Sequence, residues 1–136
     1  MEEQIKSLDN NLVIYDRRDY DDEIHIYCER IYENKHVHQV TMKIVSDIPF
    51  NGKKVLIHLK TKRFKNTFDD NTSKTTITEQ FDFLNDTGRR TKRLDEALYD
   101  LTKNQSFSAS SEYANKFITN ISRYTLTRMV LKKTKK

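Results

Sequence analysis

The sequence predicts an α+β chain: a small antiparallel β-sheet or hairpin lobe over residues 1–86, then a three-helix unit of helix-turn-helix type over residues 87–136. Three observations carry this expectation. Apolar residues alternate with polar ones through residues 23–29 and 37–44, the period of half-buried strands. Asn51-Gly52 stands between two apolar runs, and that pair suits the positive φ of a tight hairpin turn. From residue 91 the apolar period changes to 3.6 in three successive stretches. The two lobes are expected to share one compact domain.

Residues 12–15 are a short apolar run fit for a strand, and 16–22 read as a charged loop. In 23–29, Ile24, Ile26 and Cys28 share one face, with His25, Tyr27 and Glu29 on the other. In 37–44, Val40, Met42 and Ile44 are expected to point inward. The second strand of the hairpin puts Val55, Ile57 and Leu59 on one face, and Lys54, Leu56, His58, Lys60 and Lys62 on the other. Arg63 and Lys65 continue that basic row. Such a row is either a track for a phosphate backbone or a solvated edge that lysine protects from aggregation. Residues 66–76 read as a polar, Thr-rich loop. Ile77, Phe81 and Phe83 are anchors expected to lock the sheet onto the helices, and Asp86-Thr87-Gly88 is a hinge.

The helical stripes are Leu94, Ala97, Leu98 and Leu101; Ala109, Tyr113, Ala114 and Phe117; and Leu126, Met129 and Val130. Thr91, Ser108 and Ser122 precede them as hydroxyl caps. Arg89, Arg90, Lys92 and Arg93 crowd the start of the first helix, where positive charge opposes the helix dipole unless an anion binds there. On the third helix Tyr124, Thr127, Arg128 and Leu131 lie opposite the stripe, with Arg123 on the flank. A helix so placed enters a major groove in helix-turn-helix proteins. Lys132, Lys133, Lys135 and Lys136 end the chain.

The net charge of +5 is unevenly spread. Residues 1–33 carry 4 basic and 10 acidic side chains, 34–86 carry 9 and 6, and 87–136 carry 12 and 4. One strongly basic end is the footprint of a polyanion binder, whose affinity falls as salt rises. A single cysteine, Cys28, forms no internal disulfide, and no export signal or long apolar run is seen. A reducing cytoplasm is therefore the expected compartment, with no membrane contact. Only two glycines occur, against a glycine-rich phosphate cradle. The carboxylates of residues 16–23 crowd one loop instead of converging from different elements, as two-metal chemistry requires. No enzyme activity is expected.

Ile48-Pro49, Asn51-Gly52-Lys53, residues 55–59, Arg63-Phe64, Thr78-Glu79-Gln80-Phe81 and Thr91-Lys92-Arg93-Leu94 together resemble the amino-terminal region of ISL3-type bacterial transposases. The resemblance runs from about residue 23 to 133 and implies a DNA-binding region of a mobile genetic element. It also implies a zinc-ribbon-like lobe, here degenerate. The family's cysteine positions fall near Asn66 and Asn71, and Cys28 has no cysteine partner. His36 and His38 with His25 or His58 are the remaining candidate ligands, and strand histidines are more often surface polar residues. No metal or cofactor is expected, and the transposases' catalytic portion has no counterpart.

The resulting expectation is a noncatalytic DNA-binding protein, acting as an accessory subunit that brings a polymerase, primase, helicase or recombinase to duplex or single-stranded DNA. The candidate contacts are Lys54, His58, Lys60, Lys62, Arg63, Arg89, Arg90, Lys92, Arg93, Arg123, Tyr124, Thr127, Arg128, Lys132 and Lys133. Tyr27, Tyr32, Tyr99 and Tyr124 are candidates for stacking on bases. A protein-interaction module without nucleic-acid binding and a sequence-specific repressor are the alternatives.

Overall fold

A computed structural model describes residues 1–33, 36–65 and 76–134. The elements in chain order are α1 (Glu2–Lys6), β1 (Leu12–Asp19), β2 (Glu23–Arg30), β3 (Val37–Phe50), β4 (Lys53–Lys65), β5 (Thr76–Thr78), α2 (Lys92–Thr102), α3 (Phe107–Phe117) and α4 (Arg123–Thr134). The loop expected at residues 66–76 lies outside the described residues apart from Thr76, as do the positions near Asn66 and Asn71 and the tail lysines Lys135 and Lys136.

The β region is larger than the small antiparallel lobe expected. It is a mixed five-stranded sheet in the order β1-β2-β4-β3, with β5 paired to the far end of β4. β1 pairs antiparallel with β2, and β3 with β4, whereas β2 and β4 run parallel. The physical reason is a shared core face. Ile24, Ile26 and Cys28 alternate in phase with Val55, Ile57 and Leu59, so the two strands lie side by side and bury one continuous apolar surface. The basic strand β4 is consequently the centre of the sheet and not a guarded edge. Asn51 and Gly52 close the β3-β4 turn at φ 50° and 73°, as that dipeptide allows.

Ile5 from α1, Leu12, Val45, Phe81 and Phe83 complete the core on this face. A second cluster, Leu94, Leu98, Ala114, Ile121 and Leu126, joins α2, α3 and α4, with Ile48 of β3 packed against it. Phe81 and Phe83 pack in the sheet core together with Ile5 of α1, and the Phe83 carbonyl accepts from the Lys92 amide at the start of α2 at 2.8 Å, whereas Ile77 is exposed. Val40, Met42 and Ile44 point outward, contrary to expectation, because Val45 and Asp47 take the inward phase of β3. They share with Tyr15, His25, Tyr27, His58 and Lys60 the face opposite the core.

The helices keep their expected order. Thr91 caps α2 by accepting from the Leu94 amide. Ser122 accepts from the Thr125 amide at 3.1 Å. Ser106, not Ser108, caps α3. The buried stripe of α3 also differs from expectation: Ser110 and Ala114 are buried while Tyr113 and Phe117 face solvent. The α3-α4 connection uses no positive φ; among the described residues only Asn51, Gly52 and Gly88 have one. Asn115 holds the turn instead. Its side chain donates to the Ile121 carbonyl at 2.7 Å and accepts from the Ile121 amide at 3.0 Å.

Candidate nucleic-acid interface

The segment from Asn85 to Lys92 is built by one amide side chain and one glycine. Asn85 Oδ1 accepts from the Thr87 hydroxyl at 3.1 Å and from the Arg89 and Arg90 amides at 3.2 and 3.3 Å. Gly88 takes φ 71°, and a Cβ there would meet the Lys43 ammonium at 3.0 Å. The chain then runs along the edge of β3. Ser46 donates to the Arg89 carbonyl at 2.9 Å and accepts from the Thr91 amide at 3.0 Å. This fixes the start of α2 beside the sheet and leaves a groove of about 1160 Å³ between residues 85–92, α2 and α4.

Six predicted contacts line that groove: Arg89, Arg90, Lys92, Arg128, Lys132 and Lys133. They come from two stretches some forty residues apart in sequence, so their convergence is a product of the fold. Asp86, Asp95 and Glu96 are the acidic residues among the lining. Arg90 pairs with Asp95 at 2.6 Å, Lys133 with Glu96 at 2.7 Å, and Lys132 with Asp86. The Lys132 and Lys133 pairs are solvent-exposed, and exposed ion pairs contribute little. Arg89, Lys92 and Arg128 are exposed and have no carboxylate within ion-pair distance among the described residues.

The other predicted contacts fall elsewhere. Arg93 is half-buried and engaged, paired to the buried Asp47 and donating to Ser7 Oγ and the Gln4 carbonyl. Lys62 is buried, donating to Glu29 and to the Arg30 carbonyl. Lys54 donates to the Asn115 carbonyl and to Asn120 Oδ1, where a cation suits the C-terminal end of α3. His58 and Lys60 stand on the open face of the sheet, and Arg63 is exposed near its far end. Arg123 stacks on Tyr124 at 5.0 Å and donates to Ser108. The Thr127 hydroxyl donates back to the Arg123 carbonyl at 2.8 Å. Tyr124, Arg128 and Leu131 remain exposed on α4.

No protein-family model, curated protein or solved structure matches this chain. The chemistry of the site therefore rests on its own residues. Two features escaped the sequence reading. Asn85 organises the basic segment, and its only sequence signal is its place at the head of Asp-Thr-Gly. Tyr15 and Tyr20 join the open sheet face; Tyr15 is the extra residue where the β1-β2 register shifts between Ile14 and Asp16.

The stacking candidates also separate. Tyr27 lies on the sheet face against His58, and Tyr32 donates to the buried Glu79. Tyr99 lines the groove with the Lys133 ammonium 4.2 Å from its ring centroid. Burial pushes the Cys28 thiol up to about 12, with Glu29 adding to the effect. Among the described residues no group of three or more metal-ligating side chains is assembled, and no helix is long and apolar enough to cross a membrane.

Proposed function

We propose that this chain is a noncatalytic DNA-binding protein of a mobile genetic element, acting as an accessory subunit for a replication or recombination enzyme. The observation that supports it best is the convergence on one groove of Arg89, Lys92 and Arg128, none held by a carboxylate among the described residues. Phosphates of a DNA backbone satisfy such cations, and the release of condensed counterions drives binding. Lys132, Lys133 and Arg90 exchange their carboxylate partners for phosphate as the backbone enters. In this reading α3 and α4 are the helix-turn-helix pair, with α4 presenting Tyr124, Arg128 and Leu131 outward. The resemblance to the transposase region supports the mobile-element context. Phosphate contact is the primary role of the site and base reading the secondary one. The test is a gel-shift titration on duplex DNA at about 50 mM salt, where retardation is expected for the parent chain and lost on Arg89→Ala with Lys92→Ala and Arg128→Ala. Unchanged retardation of the triple variant overturns the assignment.

The second reading, a protein-interaction module, draws on Tyr113 and Phe117. Their rings meet at 5.0 Å on the exposed face of α3, a small apolar patch of the kind that partner proteins cover. The same patch serves the accessory role if the partner is the enzyme brought to DNA.

A further inference from the structure

The face of the sheet opposite the core carries a row of rings that the groove does not use. Tyr27 and His58, register partners on β2 and β4, stack with centroids 4.3 Å apart and planes 14° apart. His25 lies 5.0 Å from His58, with its Nδ1 2.7 Å from His58 Nε2. Tyr20 meets His25 edge-on at 5.3 Å, and Tyr15 lies 6.2 Å from Tyr27. These five rings cross β1, β2 and β4 in one row. Cations stand over the row: the Lys60 ammonium is 4.4 Å from the Tyr15 centroid, and the Arg18 guanidinium 5.5 Å from that of Tyr27.

A row of rings that served only as packing would be buried, yet Tyr15 and Tyr20 are 43% and 50% exposed. We infer that this face binds single-stranded nucleic acid, with Tyr15 and Tyr27 stacking on unpaired bases and Lys60 and Arg18 meeting the phosphates. Every base has a π-face, so aromatic rings beside cations bind single strands with little regard to sequence. A duplex keeps its bases stacked inside and offers the rings nothing. The cations over the rings fit this occupant: Arg18 and Lys60 are held by one carboxylate each, Asp16 and Glu29, which phosphates can replace, whereas Lys62 and Lys54 are held elsewhere. The face also adjoins the groove, since Ile44 lines the groove and is the register partner of His58. The path of a strand from groove to rings rests on the proposed function, whereas the stacking does not.

The test is fluorescence anisotropy with labelled oligothymidine, oligouridine and a duplex, each about 15 nucleotides long, at about 50 mM salt. Tyr15→Ala and Tyr27→Leu are each expected to bind the single strands about tenfold more weakly and the duplex unchanged. Melting temperatures identify any variant that fails to fold, and Tyr15→Ala, at an exposed bulge, is the variant least exposed to that failure. The two single-stranded arms separate DNA from RNA as the preferred source of bases. Wild-type affinity of both variants for both single strands overturns the inference. So does an equal loss on single strand and duplex, or a concentration-dependent dimer that Tyr15→Ala abolishes in a chain that binds no single strand. If the groove variant binds everything normally while the ring variants lose single strands, the groove reading fails and this one stands.

Discussion

Arg93 of α2 grips Asp47 of β3 through its Nε, 2.9 Å from Oδ1, and through Nη2 to the other carboxylate oxygen. Asp47 is fully buried, and the Thr91 hydroxyl donates to it at 2.8 Å. The pair ties the first turn of α2 to the sheet. Arg93→Ala strands a buried carboxylate, so the expected loss is about 3 kcal/mol, read as a fall in thermal midpoint of roughly 10 °C. Arg93→Lys recovers only part of it, because an ammonium does not reproduce the two-pronged contact. A midpoint unchanged in Arg93→Ala returns this arginine to the surface candidates.

Asn115 replaces the glycine that a tight helix-turn-helix connection commonly uses. Asn115→Ala leaves the Ile121 amide and carbonyl without that partner and is expected to cost about 2 kcal/mol. Chemical denaturation measures it. Thr119, Asn120, Ile121 and Ser122 wall the groove, so DNA affinity should fall in parallel with the stability of this turn.

Burial, then the neighbouring His25 and Arg18 charges, hold the His58 imidazole below the usual histidine range. The neutral ring is therefore favoured in the folded chain, and the unfolded chain binds more protons. Its contribution to stability is fully present above the ordinary value of 6.5 and is lost as pH falls through the lower folded value. Urea midpoints should drop between about pH 7.5 and about pH 5, and His58→Phe, which keeps a ring against Tyr27, should flatten that drop. An equal drop in the variant assigns it to other groups.

Cys28 is enclosed in the sheet core, and its thiol is pushed up to about 12. Since thiolate is the reactive form, a thiol reagent should label the native chain far more slowly than the urea-unfolded chain. Rapid native labelling contradicts the burial.

The strand faces of β2 and β4 were legible from period-two alternation, because a half-buried strand leaves its phase in the residue types. The parallel pairing of those strands was not, since nothing local records which distant strand shares a core face. Val40, Met42 and Ile44 misled for a related reason: apolar residues on an open sheet face read like core residues. Arg93 and Lys62 looked like surface cations because their partners, the buried Asp47 and the half-buried Glu29, are distant in sequence. The groove cations stand out singly in the sequence, whereas their meeting around one groove depends on the turn that Asn85 and Gly88 build.

The most direct test of the central claim is the salt dependence of duplex DNA affinity in the parent chain and in Arg89→Ala/Lys92→Ala/Arg128→Ala. Each phosphate contact adds about 0.9 to the slope of log affinity against log salt, so the triple variant should be shallower by roughly 3 and weaker at every salt concentration. Parallel lines of equal affinity for the two proteins would contradict the account.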